Sequence, residues 1–113
     1  MSDPVLLAID QGTTGTTVLL VDSRGTVVDR AYREITQHYP RPGWVEHDAD
    51  EIWRSVVEAT VELLGRTSAT PVGEGITNQR ETFVLWHRAS LRPVAHATGN
   101  TWRESGRFTP AAR

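Results

Sequence analysis

Two short segments carry residues whose types and spacing suit them to chemistry. The first is the run DQGTTG at residues 10–15, which follows an apolar stretch. A carboxylate such as Asp10 at the end of a buried strand is costly without a partner, and a hydrated divalent cation is one such partner. Gly12 permits a tight turn whose N–H groups face an anion, while Thr13 and Thr14 add hydroxyl donors. The run therefore fits a phosphate-binding hairpin with a metal-orienting carboxylate, and it also fits an ordinary β-turn with a solvated aspartate.

The second segment is the adjacent pair Arg80 and Glu81. Arginine offers several N–H donors in a rigid fork, and glutamate offers acceptors. A vicinal polyol needs both, because each hydroxyl donates one hydrogen bond and also accepts. From the residues alone, an exposed surface charge pair fits the same dipeptide.

The composition narrows the class of protein. The chain has 113 residues, enough for one small domain or part of a larger one, and its net charge of -2 gives no reason to expect nucleic acid or a membrane as partner. There is no cysteine, and all 12 basic residues are arginine, which excludes disulfides and a P-loop lysine. The apolar run at residues 5–9 is too short for a signal peptide or a membrane span. We expect a cytoplasmic protein.

The elements that position these residues follow from the hydrophobic pattern. Residues 5–9 predict a buried strand, and residues 16–22 and 26–35 predict two more, joined by short turns into an antiparallel meander. Residues 37–48 hold two prolines and a glycine and are predicted to form a loop. A strand around residues 75–77 should lie parallel to the first strand after a helical crossover.

A helix is predicted between that loop and the parallel strand, over residues 49–64. Asp48 is its expected N-cap, Glu51 the capping-box partner and Gly65 the C-terminal cap. Its apolar positions share one face that should pack on the sheet: Ile52, Trp53, Val56, Val57, Val61 and Leu64.

The rest of the chain is less regular. Residues 82–86 are rich in β-branched and aromatic side chains and predict a further strand, whereas residues 97–113 are predicted to be loop or a disordered tail. Trp53 and Trp86 are expected in the core. The four histidines have no metal-ligand spacing on one helix face, so no structural metal is expected.

Three segments together resemble one family. Residues 10–14, DQGTT, resemble the first phosphate motif of the FGGY carbohydrate kinases in the actin-like ATPase superfamily. Residues 39–48, YPRPGWVEHD, resemble the loop before the first helix of the glycerol kinases in that family, and residues 75–82, GITNQRET, resemble their glycerol-contact segment. The resemblance covers about residues 5–96. It implies an α/β fold, a partial actin-like ATPase (ribonuclease H-like) domain, with residues 1–96 as the amino-terminal part of domain I.

The resemblance also implies a reaction, in which ATP and glycerol give sn-glycerol 3-phosphate and ADP with Mg²⁺. Asp10 would orient the hydrated magnesium, and Arg80 and Glu81 would hold glycerol hydroxyls. The phosphates would contact Gly12, Thr13 and Thr14. The catalytic base is expected in a part of the family enzyme that this chain does not contain. We therefore expect an amino-terminal portion that is inactive alone.

The sequence departs from the family pattern at several positions. Gly15 and Thr17 stand where glycerol kinases commonly carry a serine and a phosphate-binding arginine, so weaker ATP binding is expected. Trp102 matches a glycerol-packing tryptophan only if an insertion has displaced it, and a chance match fits equally. Alternatives stay open: a kinase for another polyol or a pentose, or a non-catalytic half-domain that pairs with a separate chain, with the missing carboxy-terminal part, or with itself.

Overall fold

The described part of the chain forms a four-stranded sheet with one helix packed on it. The computed structural model describes residues 3–78, 82 and 84–98. Strands β1 (Val5–Gln11), β2 (Gly15–Val21) and β3 (Val27–Glu34) form the predicted antiparallel meander. It is followed by a two-residue strand, β4 (Glu46–His47).

Helix α1 (Ala49–Arg66) crosses over to strand β5 (Pro71–Thr77). Strand β5 pairs in parallel with β1, as predicted, and the sheet order is β3-β2-β1-β5. Because β5 and β1 are parallel, their carboxyl ends meet at one edge of the sheet, next to the β1–β2 turn. No helix in the described ranges is long and apolar enough to cross a membrane.

The structure differs from the sequence predictions at a few positions outside the central elements. The segment at 37–48 contains β4, which pairs antiparallel with a further short strand, β6 (Ala97–Thr98), where loop had been expected. Residues 99–113 lie outside the described residues. Of the strand predicted at 82–86, the described residues contribute only an isolated bridge between Trp86 and Pro93. Tertiary pairing, rather than local composition, creates β4 and β6.

The helix packs on the sheet through a narrower face than the sequence predicts. Ser55, Ala59 and Leu63 are its buried residues, and they contact mainly β2 and β3. The small side chains of the first two let the helix approach the sheet closely. Of the predicted face, Val56 packs against the core, while the more exposed stripe lies on the far side of α1: Trp53, Val57, Val61 and Leu64.

Both tryptophans predicted to be core residues are exposed, Trp53 by 67% and Trp86 by 62%. Together with Val84, Leu91 and Pro93 they line an open groove of about 430 Å³, called the tryptophan groove below. The periodicity of α1 correctly marked apolar positions, but it could not tell which of them the four-stranded sheet would cover.

The ends of the helix follow the sequence in part. Asp48 is the N-cap, as predicted, and its carboxylate accepts a hydrogen bond from the Asp50 N–H. The Glu51 carboxylate accepts from the Thr36 N–H instead of forming the predicted capping box. The helix continues through Gly65 to Arg66, whose guanidinium pairs with Asp29 of β3. This anchor to the sheet supports the extra residues of the last turn.

Candidate functional site

The turn between β1 and β2 has its carbonyl groups tied back into the protein. The Gln11 side-chain amide donates to the Gly12 carbonyl at 2.8 Å, and the Gly12 N–H donates to the Gly15 carbonyl at 2.9 Å. These bonds close the hairpin around a two-residue tip formed by Thr13 and Thr14.

The two carbonyls of the tip also have donors from elsewhere in the fold. The His47 Nε2 lies 2.9 Å from the Thr13 carbonyl oxygen, and the Ile35 N–H donates to the Thr14 carbonyl at 3.0 Å. No peptide bond in the described ranges is cis, and in a trans peptide the next N–H points away from the carbonyl. The N–H of Thr14 is therefore directed away from His47. An anion approaching the tip from the side opposite His47 would therefore meet the Thr14 N–H rather than the Thr13 carbonyl oxygen.

Asp10 lies beside the turn on the sheet face opposite the helix. It is exposed, and its neighbours in the sheet register are Thr17 on β2 and Thr77 on β5. These three residues form one row across the strands, since paired residues point to the same face. A single exposed carboxylate beside a turn is compatible with Mg²⁺, which keeps several of its waters and uses few protein ligands.

A buried polar layer supports the turn from the other side. His47 is 3% exposed and Glu46 is 1% exposed. The His96 Nδ1 donates to the Glu46 carboxylate at 3.3 Å, and the His96 ring stacks on His38 with centroids 4.7 Å apart. Burial lowers the pKa of His47, opposed by its bond to the carbonyl of Thr13. The imidazole is therefore held neutral.

A second polar link joins the turn to the helix. The Thr16 hydroxyl lies 2.7 Å from the Ser55 hydroxyl, and the Ser55 hydroxyl donates to the Ile52 carbonyl at 2.6 Å. Ser55 has only one hydroxyl proton, so Thr16 must donate to Ser55. The first residues of β2 are thereby fixed to α1.

Gly15 has no room for a side chain. A Cβ at this position would lie 2.5 Å from the Arg33 carbonyl oxygen and would overlap the Tyr32 hydroxyl. Tyr32 thus fills the space that a serine would need here. Glycine, which departs from the family pattern here, therefore fits the close approach of strand β3 at this position.

The structure brings only some of the predicted site residues together. Asp10, Gly12, Thr13 and Thr14 lie at one edge of the sheet. Arg80, Glu81 and Trp102 fall outside the described residues. Sequence reasoning missed His47 as a contact of the turn, although it lies within the segment at 39–48 that resembles the loop before the first helix of the glycerol kinases. In the described ranges, no group of three or more histidine, aspartate or glutamate side chains could hold a metal ion.

Comparison with known proteins identifies the fold family. The model of the amino-terminal domain of the FGGY family of carbohydrate kinases matches residues 5–105. The chain belongs to this family. The matched range extends past residue 96, where the resemblance seen in the sequence ends.

Several glycerol kinases are similar to this chain in sequence. The glycerol kinase of Bordetella pertussis is 53% identical over 95 residues, which cover 81% of this chain and 19% of that protein. The glycerol kinase of Myxococcus xanthus is 50% identical over 95 residues with the same coverage. The chain thus spans about a fifth of the length of these relatives.

A solved structure of an FGGY kinase has the same fold. The crystal structure of Plasmodium falciparum glycerol kinase with ADP is 33% identical, with a TM-score of 0.77 over 86% of this chain and 20% of that one. The α/β fold is therefore that of a partial actin-like ATPase domain.

Proposed function

We propose that this chain is the amino-terminal portion of an ATP-dependent glycerol kinase. The observation that carries the proposal is the β1–β2 turn beside Asp10, in which His47 and Ile35 hold the Thr13 and Thr14 carbonyls and the Thr14 N–H faces away from His47. This arrangement suits the phosphates of a nucleotide. The identity of 53% to a glycerol kinase favours glycerol as the second substrate.

In this proposal the turn holds ATP and Asp10 faces its cation. The Thr13 and Thr14 hydroxyls and the turn N–H groups bind phosphate oxygens, and Gly12 lets the backbone approach them. Asp10 orients water molecules of a bound Mg²⁺. The cation supplies charge neutralisation, on which phosphoryl transfer depends together with positioning.

Arg80 and Glu81 would hold the glycerol hydroxyls. Arg80 follows Thr77, the last residue of β5, by three positions in the sequence. Thr77 in turn pairs with Asp10. Chain connectivity thus supports one shared site for phosphate and polyol, with Trp102 as a further candidate substrate contact.

The deciding experiment supplies the rest of the enzyme. The chain would be joined to the portion that follows the matched region in the B. pertussis relative, and glycerol-dependent ADP formation would be measured. Replacing Arg80 with alanine should lower kcat/KM for glycerol about tenfold to a hundredfold, the effect of losing hydrogen bonds from a charged donor. Arg88→Ala, an exposed arginine, is the matched control. An active fusion in which both variants behave alike would contradict the assigned role of Arg80.

The chain without that portion should show no glycerol-dependent ATP turnover, because the base is expected elsewhere. Measurable turnover by the purified chain would contradict this part of the proposal. A cytoplasmic location follows from the proposed use of ATP.

A second candidate substrate is a sugar. A xylulose kinase of Rhodospirillum rubrum is 28% identical, with a TM-score of 0.78 over 86% of this chain and 21% of that one. A panel of polyols and pentoses, tested on the fusion, separates the candidates. Preference for a pentose over glycerol would replace glycerol in the proposal.

A non-catalytic half-domain is a third candidate. The exposed stripe on α1, the tryptophan groove and Val72 and Ile76 of β5 together present apolar surface. In the described ranges β5 is paired on one side only. Such a surface and edge favour binding to a separate chain or self-association.

A further inference from the structure

We propose that His47 is a positioning residue that sets the orientation of the phosphate-binding turn. The inference rests on the proposed function of that turn. His47 lies 34 positions away from Thr13 in the chain, yet its imidazole bonds to the tip of the hairpin. It would act through the backbone of the turn and would not itself touch the nucleotide.

The geometry fixes the protonation state that this role needs. A carbonyl oxygen only accepts hydrogen bonds, so the His47 Nε2 must carry a proton and donate it to Thr13. The ring is buried, which disfavours the charged form. The role therefore belongs to neutral imidazole in its Nε2–H tautomer.

The bond constrains the peptide unit between Thr13 and Thr14. Rotation of that unit would swing the carbonyl toward the anion site and the Thr14 N–H toward the interior. With the His47 bond in place, the carbonyl stays inside and the N–H stays on the side facing away from His47. The backbone bond from Ile35 to the next carbonyl constrains the following unit in the same way.

His47 is itself held firmly. Its strand, β4, pairs with β6, and the Glu46 N–H and carbonyl exchange hydrogen bonds of 2.8 Å with His38. Asp48, the next residue, caps α1. The segment that resembles the loop before the first helix of glycerol kinases thus connects the helix start to the phosphate turn.

The test uses the 113-residue chain and reads the turn directly by NMR. In the wild-type chain, nitrogen-15 spectra should show the Nε2–H tautomer of His47 at neutral pH. An Nδ1–H tautomer, or a charged ring, would overturn the proposal without any substitution. This measurement does not depend on whether a variant folds.

Substitutions then separate positioning from simple packing. His47→Leu removes the donor, while His47→Gln keeps an N–H donor at similar reach. We expect His47→Leu to shift the amide resonances of Thr14 and Gly15 and His47→Gln to restore them. His87→Gln, at an exposed histidine, should leave them in place. Equal spectra for His47→Leu and the wild type, or for His47→Leu and His47→Gln, would overturn the proposal.

Titration with Mg·ADP distinguishes the two proposals. We expect shifts at the turn amides and an affinity about fivefold to tenfold lower in His47→Leu, recovered in His47→Gln. If the wild-type chain shows no response of these amides to Mg·ADP, phosphate binding by the isolated turn fails. The tautomer and the amide shifts of the variants then still decide the role of His47. An affinity unchanged in His47→Leu contradicts that role.

Discussion

Replacing Gly15 with alanine should destabilise the fold by steric overlap alone. The new Cβ would lie 2.5 Å from the Arg33 carbonyl oxygen, whereas ordinary contact begins at 3.4 Å. The two atoms must separate by about 1 Å, and one of them belongs to the backbone of β3. Overpacking of this kind costs about 1–3 kcal/mol. Gly15 does not have a positive φ, so no conformational strain adds to the overlap.

The matched control is Gly75→Ala in strand β5 of the same sheet. A Cβ there meets nothing within 4 Å. Alanine restricts the unfolded chain, so this variant should be more stable by about 0.4–1 kcal/mol. A double variant, Gly15→Ala with Tyr32→Ala, should recover only part of the loss, because the Arg33 carbonyl remains.

Equilibrium urea unfolding followed by circular dichroism measures these differences. With a slope of about 1–2 kcal/mol per molar urea, a cost of about 1–3 kcal/mol should lower the midpoint of Gly15→Ala by roughly 0.5–3 M. Gly75→Ala should raise the midpoint. Equal midpoints for the two single variants would refute the claim that β3 closes over Gly15. Full recovery in the double variant would assign the whole overlap to the tyrosine.

Four further outcomes are expected. Thr16→Val removes the bond to the helix and should cost about 1 kcal/mol, whereas Thr60→Val, which removes a buried hydroxyl without a hydrogen-bond partner, should be neutral or stabilising. Stability should fall as pH drops below about 6.5, because the folded pKa of His47 is lowered and the unfolded chain binds the proton first. Thr17→Arg in the fusion enzyme should lower the KM for ATP severalfold by adding a cation beside the phosphates. Light scattering should find the chain associated rather than monomeric.

Each of these four predictions has a result that would contradict it. Equal free energies of unfolding for Thr16→Val and Thr60→Val, measured by urea, would contradict a stabilising hydrogen bond between Thr16 and Ser55. The pH effect should flatten in His47→Gln, and its persistence in that variant would contradict its assignment to His47. An unchanged KM in steady-state kinetics would place Thr17 away from the phosphates. A stable monomer argues against a missing partner for the apolar surface.

Local sequence patterns predicted the central elements well, since those patterns reflect short-range chemistry. The apolar run before Asp10, the turn signals between the next two strands and the cap at Asp48 each act within a few residues. The meander, the helix start and the parallel β5 are confirmed on that basis. The family was likewise predictable from three short motifs in order, and the family match confirms it.

Errors arose where the outcome depends on distant residues. The helix does not end at Gly65, because Arg66 pairs with Asp29 on another element. Trp53 is exposed because the described sheet covers a different side of α1, and Trp86, which lies after β5, is exposed as well. Strands β4 and β6 are two residues each, and pairing of segments far apart in sequence creates them.

The candidate site divides in the same way. The sequence by itself determined which groups are available at the turn: a carboxylate, a glycine and two hydroxyls. All of them lie within one short hairpin, so local sequence is enough to bring them together. The tertiary structure alone decided which way the backbone of that hairpin faces. That orientation depends on donors from His47 and Ile35, which the linear sequence places at least twenty residues away and only folding brings within hydrogen-bond distance.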